Sequence, residues 1–552
     1  MIYYTGMLGQ LGITTPQTQA WLLAAGLLLL LLVLGFIITV FFLWFVFRKG
    51  RPVWRFLGSV AVSLGKAVRD NPDVRELKEQ YPRASSFIGA RFKRGTFTGW
   101  PATLLFLAFL YALLLFIGSI EDFVRSGLIV AADNRIANIL YVFRTPGLTG
   151  VFLWVTLLGK SQVVTAFILA TSAFLLVRDQ VPYIMGLWTS VLGGALFSYL
   201  GKLAFHRPRP QVALYLESTW SFPSGHATVA VAFYGFLIFL LWRQAKGWGV
   251  RILGSAGLIT GIGAIGFSRL YLGVHYLSDV WSGYLLGLLW MITGMSLAEA
   301  FRFRFHEGWS IPQKLESCRR PASLAIMGSA LAFYVLTGVS YDPPKAPREK
   351  KPPAVWSGDV LTSFGKGELS PFSETIIGTP QEPVSFVIHA SGPEQLVETF
   401  SAAGWTLAQQ HGISNLVLAG RAALFNLTDT TAPMTPSFWN GKPHDFGFEK
   451  PVTGKGLRQR HHARFWATAL VGPDQRPYFV GTASLDMGMK WFITHIIQPD
   501  IDTEREFLFR DLISTGKVES WRKRDLVGPH LGKNFAGDPF FTDGKVYILE
   551  LF

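Results

Sequence analysis

The chain of 552 residues is poor in cysteine and in charge. It has one cysteine, Cys318, and charged side chains make up 16% of its residues while apolar ones make up 50%. A single cysteine excludes an intramolecular disulfide and leaves the redox compartment open. Soluble domains carry about a quarter charged residues, so the composition also excludes a disordered chain and a simple cytosolic enzyme. A membrane protein is expected if the apolar residues form long blocks.

Acidic residues are scarce in the first two thirds of the chain. Residues 1–353 carry 33 Lys and Arg against 15 Asp and Glu, whereas residues 354–552 carry 18 against 21. The basic excess therefore lies in the apolar part of the chain. Such cations are typical of orientation signals beside membrane helices, so no nucleic-acid partner is predicted.

Long apolar runs are abundant, and each approaches the ~20 residues that a helix needs to cross the hydrocarbon core. The first is too long for a signal-peptide core, and no basic segment precedes it. Gly159, Lys160 and Ser161 interrupt the third run, so its span is expected to begin near Gln162. Eight spans are predicted, at about 21–47, 103–120, 152–177, 183–201, 227–242, 252–267, 280–300 and 322–339.

The Lys and Arg residues between these runs predict the orientation. Connections on one side carry 21 of them, 12 within residues 48–100, and those on the other side carry eight. Because cytoplasmic loops are enriched in Lys and Arg, both termini are expected in the periplasm of a bacterial inner membrane. The basic linker after Tyr341 argues the other way, since the C-terminal residues would be cytoplasmic if 322–339 did not cross. Residues 48–100 fit either amphipathic helices on the inner membrane surface or a solvated loop.

Three short segments with reactive side chains lie at the outer ends of predicted spans. Ionisable residues are costly there, so cations that meet are candidates for function. Arginine pairs bidentately with phosphate oxygens, and lysine adds a point charge. The second segment precedes an apolar helix whose free N–H groups and dipole favour an anion. The segments, which together predict a site for a tetrahedral oxyanion, contain Lys202, Arg209 and Pro210, then Pro223, Ser224, Gly225 and His226, then Ser268, Arg269, His275 and Asp279.

Two histidines in these segments have different surroundings. His275 and Asp279 are four residues apart and share a face on a helix. A carboxylate bonded to one ring nitrogen would fix the tautomer, which makes His275 the candidate nucleophile that forms a phosphohistidine. His226 has no acid beside it in sequence and is the candidate acid for the leaving oxygen and base for water. No metal and no cofactor are expected, because Lys and Arg would neutralise the charge.

Each feature by itself has a plainer explanation. The cations could extend toward lipid head groups, His275 and Asp279 could form a structural pair, and Ser224 could merely cap a helix. The conjunction of all three segments favours catalysis.

In this order the segments resemble the signature of type 2 phosphatidic acid phosphatases, the PAP2 family: K-x6-RP, PSGH and SR-x5-H-x3-D, with no departure at a motif position. The resemblance covers about residues 100–300. It implies a six-helix core and metal-independent hydrolysis of phosphate esters or pyrophosphates, usually of lipids. It also implies the roles given above for His275 and His226, with Asp279 as the orienting partner. The phosphate-binding residues implied are Lys202, Arg209, Ser224, Gly225, Ser268 and Arg269.

Residues 354–552 are polar and mixed, which predicts a compact α+β domain. Strands are expected at 384–389, 464–471, 478–484 and 546–551, and helices at 393–404 and 502–514, the first closed by Gly404 and the second capped by Asp502.

Polar residues of this domain cluster in sequence: Arg460, His461, His462, Arg464, Asp486, His495 and the stretch 500–505. They fit a metal site or a buried hydrogen-bonded network with a helix cap, and the network is favoured because adjacent histidines point to opposite faces of a strand. The pattern RHH-x-RxW followed by DIDxER resembles the C-terminal domain of LssY-type membrane proteins. That resemblance implies association with the cell envelope and recruitment of a protein partner or substrate.

The predicted fold is a mainly α, polytopic membrane bundle with a PAP2-like core and a C-terminal soluble α+β domain. The predicted function is a lipid phosphate or pyrophosphate phosphatase, acting on a polyprenyl pyrophosphate such as undecaprenyl pyrophosphate or on a glycerophospholipid phosphate. A phosphotransferase with a lipid acceptor and a non-catalytic lipid-phosphate transporter or scaffold remain alternatives. The predicted segments are 1–50 (first span), 51–100 (cytoplasmic), 101–301 (phosphatase core), 302–340 (loop and last span), 341–356 (linker) and 357–552 (soluble domain).

Overall fold

A computed structural model describes residues 16–93, 96–304, 319–347, 354–355, 359–408, 434–452, 459–490, 494–534 and 537–552. The chain divides into two compact units. The first comprises residues 1–127 and 145–346, and the second comprises 128–144 and 347–552. Predictions for other residues, including Cys318 and the basic end of the linker at 348–353, lie outside the described part.

Helices make up the whole of the first unit's described regular structure apart from one isolated bridge. In chain order the described helices of both units are α1 (Pro16–Trp44, continued by a π turn at Phe45–Lys49), α2 (Arg51–Asp70), α3 (Pro72–Gln80), α4 (Pro82–Arg91), α5 (Trp100–Val124), α6 (Leu128–Val142), α7 (Pro146–Leu157), α8 (Ser161–Val177), α9 (Val181–Phe205), α10 (Gly225–Gln244, with a π turn at Val231–Gly235), α11 (Trp248–Tyr271), α12 (Leu277–Arg304), α13 (Arg319–Val339), α14 (Leu361–Gly365), α15 (Pro393–Ala402) and α16 (Ile501–Ser514).

Seven of the described helices are long and apolar enough to cross a membrane: α1, α5 and α9 to α13. The count reaches eight if α7 and α8, which meet at a 44° bend, form one span. The bend falls at the Gly159–Lys160 interruption that the sequence shows. These seven helices and the bent pair fall at the predicted runs, and the seven candidate spans confirm a multi-pass helical membrane protein.

Small residues bring α9 and α12 close together. A β-carbon built at Gly186 would lie 2.5 Å from the carbonyl oxygen of Gly294, and one built at Gly294 would lie 2.3 Å from that of Gly186. Only glycine allows backbones to approach this closely. The contact fixes the two helices that carry Lys202 and Asp279.

Residues after the first span form short helices. Along α2 the apolar side chains Val53, Phe56, Val60 and Leu64 are exposed and recur every three or four residues. That spacing places them on one face, as in a helix that lies on a membrane surface. Placement of α2 to α4 on the inner membrane surface stays a prediction.

The second unit is built on a mixed β-sheet. Its strand order in the described residues is β12-β15-β4-β10-β9-β8-β5, with β1 beside β9 and β11 beside β10. The neighbours β4 and β15 are parallel, and β9 and β10 form an antiparallel hairpin that pairs His462 with Ser484. The strands are β1 (Ala354–Val355), β2 (Phe372–Glu374), β3 (Pro380–Pro383), β4 (Phe386–His389), β5 (Thr406–Leu407), β6 (Phe438–Trp439), β7 (Lys442–Pro443), β8 (Phe446–Pro451), β9 (Arg460–Val471), β10 (Pro477–Lys490), β11 (Thr494–Ile497), β12 (Val518–Asp525), β13 (His530–Lys533), β14 (Pro539–Thr542) and β15 (Lys545–Leu551).

Helices α15 and α16 cover one face of this sheet, which gives the predicted α+β domain its core of Phe386, Phe400, Phe465 and Leu508. The predicted cap of α16 is wrong by two residues. Asp500, not Asp502, accepts hydrogen bonds from the first backbone N–H groups, because the helix begins at Ile501. The Asp502 carboxylate instead accepts a bond from Arg505 at 2.8 Å.

Helix α6, from the connection between the second and third spans, groups with the second unit. Arg135 on α6 forms a 2.7 Å ion pair with Glu374, and both side chains are largely buried. Asn138 Nδ2 donates a 2.8 Å bond to the carbonyl oxygen of Gly441. The sequence does not predict this association, since the partners are more than 200 residues apart.

Candidate active site

A cavity of about 1040 Å³ opens among the spans of the first unit. Residues of all three sequence segments line it: Lys202, Arg209, Gly225, His226, Arg269 and His275. Ser224, Ser268 and Asp279, which the sequence also selects, lie behind its wall. Residues that are up to 73 positions apart thus meet around one space, as predicted for an oxyanion site.

His275 lies on the turn between α11 and α12, and its ring has two distinct partners. Its Nδ1 is 3.3 Å from Oδ2 of Asp279, and its Nε2 is 3.2 Å from Nη1 of Arg209. Asp279 is held in turn by the backbone N–H of Tyr276, which donates to Oδ2 at 2.9 Å. The carboxylate favours the proton on Nδ1 and leaves Nε2 unprotonated beside a cation.

Burial and the nearby Arg209 hold the pKa of His275 well below its usual value. The imidazole is therefore neutral at neutral pH, the state that a nucleophile requires.

Arg207 supplies a contact that the sequence analysis did not assign. Its Nη1 donates to Oδ1 of Asp279 and to Oγ of Ser278, both at 2.7 Å. The Asp279 side chain is fully buried, so this guanidinium balances a charge that would otherwise be costly. Arg207 thus positions the carboxylate that orients His275, and it does not line the cavity. The feature of the sequence that could have pointed to Arg207 is the repeated Arg-Pro in residues 207–210.

Each of the three predicted cations is anchored by hydrogen bonds to the protein. Arg209 donates to the carbonyl oxygens of Thr219 at 2.9 Å and Val274 at 2.6 Å. Lys202 donates to the carbonyl oxygen of Trp220. These bonds hold both side chains at the cavity wall.

Arg269 is fully buried and reaches the cavity from α11. Its guanidinium donates to Thr156 Oγ1 at 2.7 Å, to the hydroxyl of Tyr215, and to Glu217 Oε1 at 2.6 Å. Burial disfavours the charged form of Glu217, but Arg269 and Arg209 outweigh it and lower the pKa of this carboxyl. Glu217 therefore stays ionised and forms an ion pair with Arg269, one of the cations that are expected to bind phosphate.

The start of α10 carries Ser224 and Gly225, which the sequence predicts to bind an anion. Gly225 lines the cavity, and the Ser224 hydroxyl caps the helix by accepting a long 3.5 Å bond from Ala227 N. The Ser224 N–H donates to the carbonyl oxygen of Asp279 at 2.9 Å, which ties this helix start to α12. Ser268 differs from the prediction in its orientation, because its hydroxyl donates to the carbonyl oxygen of Ile265 at 2.6 Å within α11.

One end of the cavity is apolar. It continues between α8 and α9, where Val164, Ile168, Val191 and Leu192 line it together with Trp188. Leu192 is exposed on the outer surface of the helix bundle. The cavity therefore joins a cationic end to an apolar end, the shape that an amphiphile needs.

The polar cluster of the second unit forms the expected network. His462 Nδ1 lies 3.2 Å from Asp486 Oδ2, and His461 Nδ1 lies 2.9 Å from Glu504. Arg460 pairs with Glu449 at 2.8 Å. The two histidines meet different carboxylates, and the described residues contain no group of three or more His, Cys, Asp or Glu arranged to hold a metal. The side chain of His495 lies outside the described part.

Comparison with known proteins agrees with this geometry. Residues 183–303 match the family model of the PAP2 superfamily, and residues 366–546 match that of the LssY C-terminus. Phosphatidylglycerophosphatase B of Bacillus subtilis (strain 168) is 29% identical over 187 residues, which cover 32% of this chain and 89% of that protein.

Two solved structures are similar to part of the chain. One is a transmembrane PAP2 type phosphatidylglycerolphosphate phosphatase from Bacillus subtilis, at 27% identity over 36% of this chain and 96% of that chain, with a TM-score of 0.30. The other is Aquifex aeolicus LpxE, at 22% identity over 30% and 94%, with a TM-score of 0.24.

The helices, the cavity and the family match define a polytopic membrane phosphatase. Within the chain, residues 183–303 form a PAP2-type region and residues 366–546 an LssY-type C-terminal region.

Proposed function

We propose that the protein removes a terminal phosphate from a membrane lipid through a phosphohistidine at His275. The observation that carries this proposal is the convergence of His275, His226 and three cations on one cavity whose far end is apolar. A tetrahedral phosphoryl group with charge on several oxygens matches the cations, and a lipid tail matches the apolar end.

The reaction follows from the positions of the two histidines. Nε2 of His275 attacks phosphorus and forms an N–P bond, while the bond from phosphorus to the leaving oxygen breaks. His226 gives its proton to that oxygen and then takes one from a water molecule. The oxygen of this water attacks phosphorus, the N–P bond breaks, and inorganic phosphate leaves. Arg209, Arg269 and Lys202 stabilise the charge on the phosphoryl oxygens throughout, together with the N–H groups at Gly225.

The substrate class is inferred from the lining of the cavity and from the similarity to one relative. A lipid tail would occupy the apolar end between α8 and α9, with its phosphate at the cations. Polyprenyl pyrophosphates and glycerophospholipid phosphates both have this form. The similarity to a phosphatidylglycerophosphatase supports the second.

The side of the membrane is proposed from two observations. Lys and Arg residues are concentrated in the connections opposite the cavity, which favours a periplasmic site in a bacterial inner membrane. Ser340 and Tyr341, which directly follow α13, line the cavity. The position of these two residues supports the proposal that the last helix crosses the bilayer. The C-terminal domain would then lie on the same side of the membrane as the site.

The C-terminal domain is proposed to bind a protein partner of the cell envelope or to recruit substrate, as its LssY-type sequence implies. No catalytic role is assigned to its buried polar network.

The function is tested by measuring phosphate release from a panel of lipid phosphates and pyrophosphates in detergent micelles. We expect turnover with EDTA present, because cations of the chain take the place of a metal. Analysis of the lipid products separates hydrolysis from transfer to a lipid acceptor. Absence of both phosphate release and transfer on every lipid would refute the proposal and favour a transporter or scaffold.

Replacement of Arg207 by methionine tests the positioning role of this residue. Asp279 would lose its guanidinium partner and hold His275 less firmly, so kcat is expected to fall about 10- to 100-fold. KM should change less than about threefold, since binding contacts are kept. An R207K variant should recover part of kcat, and thermal melting of both variants checks folding. A rise in KM comparable with that of an R209M variant would show instead that Arg207 binds phosphate.

A further inference from the structure

A fourth cation lines the cavity outside the three motif segments. Lys160 lies at the break between α7 and α8, where the sequence interrupts an apolar run, and its side chain lines the cavity with Lys202, Arg209 and Arg269. The reaction proposed above gives it no task. A lysine kept at a membrane boundary inside a cavity needs a counter-charge or a ligand.

Lys160 contacts an aromatic ring. Its Nζ lies 3.9 Å from the ring centroid of Tyr341. The carboxylates of Glu217 and Asp342 line the same cavity, and Glu217 is paired with Arg269. The segment after α13 is fixed in turn by two backbone bonds, from Leu216 N to Pro344 O at 2.9 Å and from Ala346 N to Leu214 O at 3.1 Å. A cation–π contact leaves the three N–H groups of the ammonium available to an anion.

The break that carries Lys160 lies beside His226. A β-carbon built at Gly159 would be 3.0 Å from Cδ2 of His226, so the backbone of the break packs directly on this imidazole. In the proposed reaction His226 protonates the leaving oxygen, while His275 attacks from the opposite side of phosphorus. Attacking and leaving atoms lie roughly in line. Lys160 therefore lies on the side of the leaving group.

The cations of the cavity lie in two places, and the carboxylates of Glu217 and Asp342 line it as well. Lys202, Arg209, Arg269 and the start of α10 suffice for the phosphoryl group that is transferred. A further cation on the leaving side stabilises the charge that develops on any leaving oxygen, and its effect is larger when the leaving group is itself an anion. A phosphate in the leaving group supplies that charge.

From this arrangement we infer that Lys160, backed by Tyr341, forms a second anion subsite that selects lipids with another phosphate in the leaving group. The inference rests on the proposed function and narrows its substrate. Two lipid classes share this chemistry: a diphosphate ester, whose inner phosphate would meet Lys160, and a glycerophospholipid in which a phosphodiester is linked through glycerol to the terminal phosphate. Lipids with a single phosphate are the disfavoured class.

The test compares matched lipids in detergent micelles: a polyprenyl diphosphate with its monophosphate, and phosphatidylglycerophosphate with phosphatidic acid. The wild type is expected to prefer the member with two phosphates in at least one pair, and the pair that shows the preference identifies the class. In a K160M variant, kcat/KM for that lipid should fall about 10- to 100-fold, the effect of losing a hydrogen bond between charged groups. The single-phosphate partner should lose less than about threefold, because its leaving group carries no charge there.

Two variants control this comparison. K160R keeps the charge and should retain most of the preference, whereas K246M removes an exposed lysine from the connection between α10 and α11 and should behave as wild type. Equal losses on both members of each pair in K160M would overturn the subsite while leaving the phosphatase proposal intact. No turnover of any of the four lipids by the wild type would refute the proposed function itself and the subsite with it.

Discussion

Replacement of His275 by alanine is expected to lower kcat by at least about 10⁴-fold, because the atom that forms the covalent intermediate is removed. The ring is buried between Asp279 and Arg209, and its Nε2 lies at the cavity beside the cations that would hold phosphate. Alanine leaves these cations in place, so lipid binding should persist. The measurement is phosphate release at saturating lipid, with binding of labelled substrate followed separately.

A trapped intermediate gives the assignment a direct readout. Wild-type protein quenched during turnover should carry labelled phosphate that is released by acid and stable to base, as expected for an N–P bond, and H275A should carry none. H206N is the matched control, since His206 is an exposed histidine of the neighbouring loop in a left-handed conformation that asparagine tolerates. Label retained by H275A, or turnover near the wild-type rate, would exclude His275 as nucleophile.

Replacement of Asp279 by asparagine is expected to lower kcat about 10³-fold with little change in the fold. In the wild type, each carboxylate oxygen of Asp279 has hydrogen-bond partners. Oδ2 accepts from Tyr276 N and from His275, and Oδ1 accepts from Arg207. An amide offers one accepting oxygen and one donating nitrogen in the same space. Its NH₂ group must therefore face either the guanidinium or the imidazole, and the second choice favours the wrong tautomer of His275.

The D279N variant is best judged by kcat, KM and melting temperature together. We expect kcat to carry the loss and KM to stay within about fivefold, because Asp279 does not line the cavity. A D279E variant tests geometry at constant charge, and a D511N variant in the C-terminal domain serves as a distant carboxylate control. Full activity of D279N would mean that the pair is structural, the plainer explanation that its spacing allows.

The structure also indicates where the chain can be cut to remove the C-terminal domain. A chain cut near Ser340 would lose Tyr341, which lines the cavity and contacts Lys160. A chain that ends after Ala346 keeps the bonds to residues 214–216. Only the longer form separates the effect of the domain from damage to the site.

Local patterns in the sequence were sufficient for the class of protein and for most of the site. The apolar runs predicted the spans because the thickness of the hydrocarbon core sets the length of a crossing helix. The segments around Lys202, His226 and His275 predicted one oxyanion site, since each combines charge with a membrane boundary. Their individual catalytic roles stay predictions until the variants are measured.

Other features depended on contacts between distant residues. The sequence selected Arg209 for the site, but it could not show that Arg207 holds Asp279. It also could not show that the Ser268 hydroxyl bonds within its own helix, that Glu217 pairs with Arg269, or that α6 joins the C-terminal unit.

The sequence by itself therefore determined a membrane phosphatase core, its apolar spans and the candidate residues of its site, because run length, charge and motif spacing are properties of neighbouring residues. The tertiary structure decided which side chains line the cavity, that Arg207 supports the Asp279 carboxylate, and that Lys160 and Tyr341 meet in the same cavity. These contacts join positions separated by tens to hundreds of residues, and only the packing of the helices brings them together.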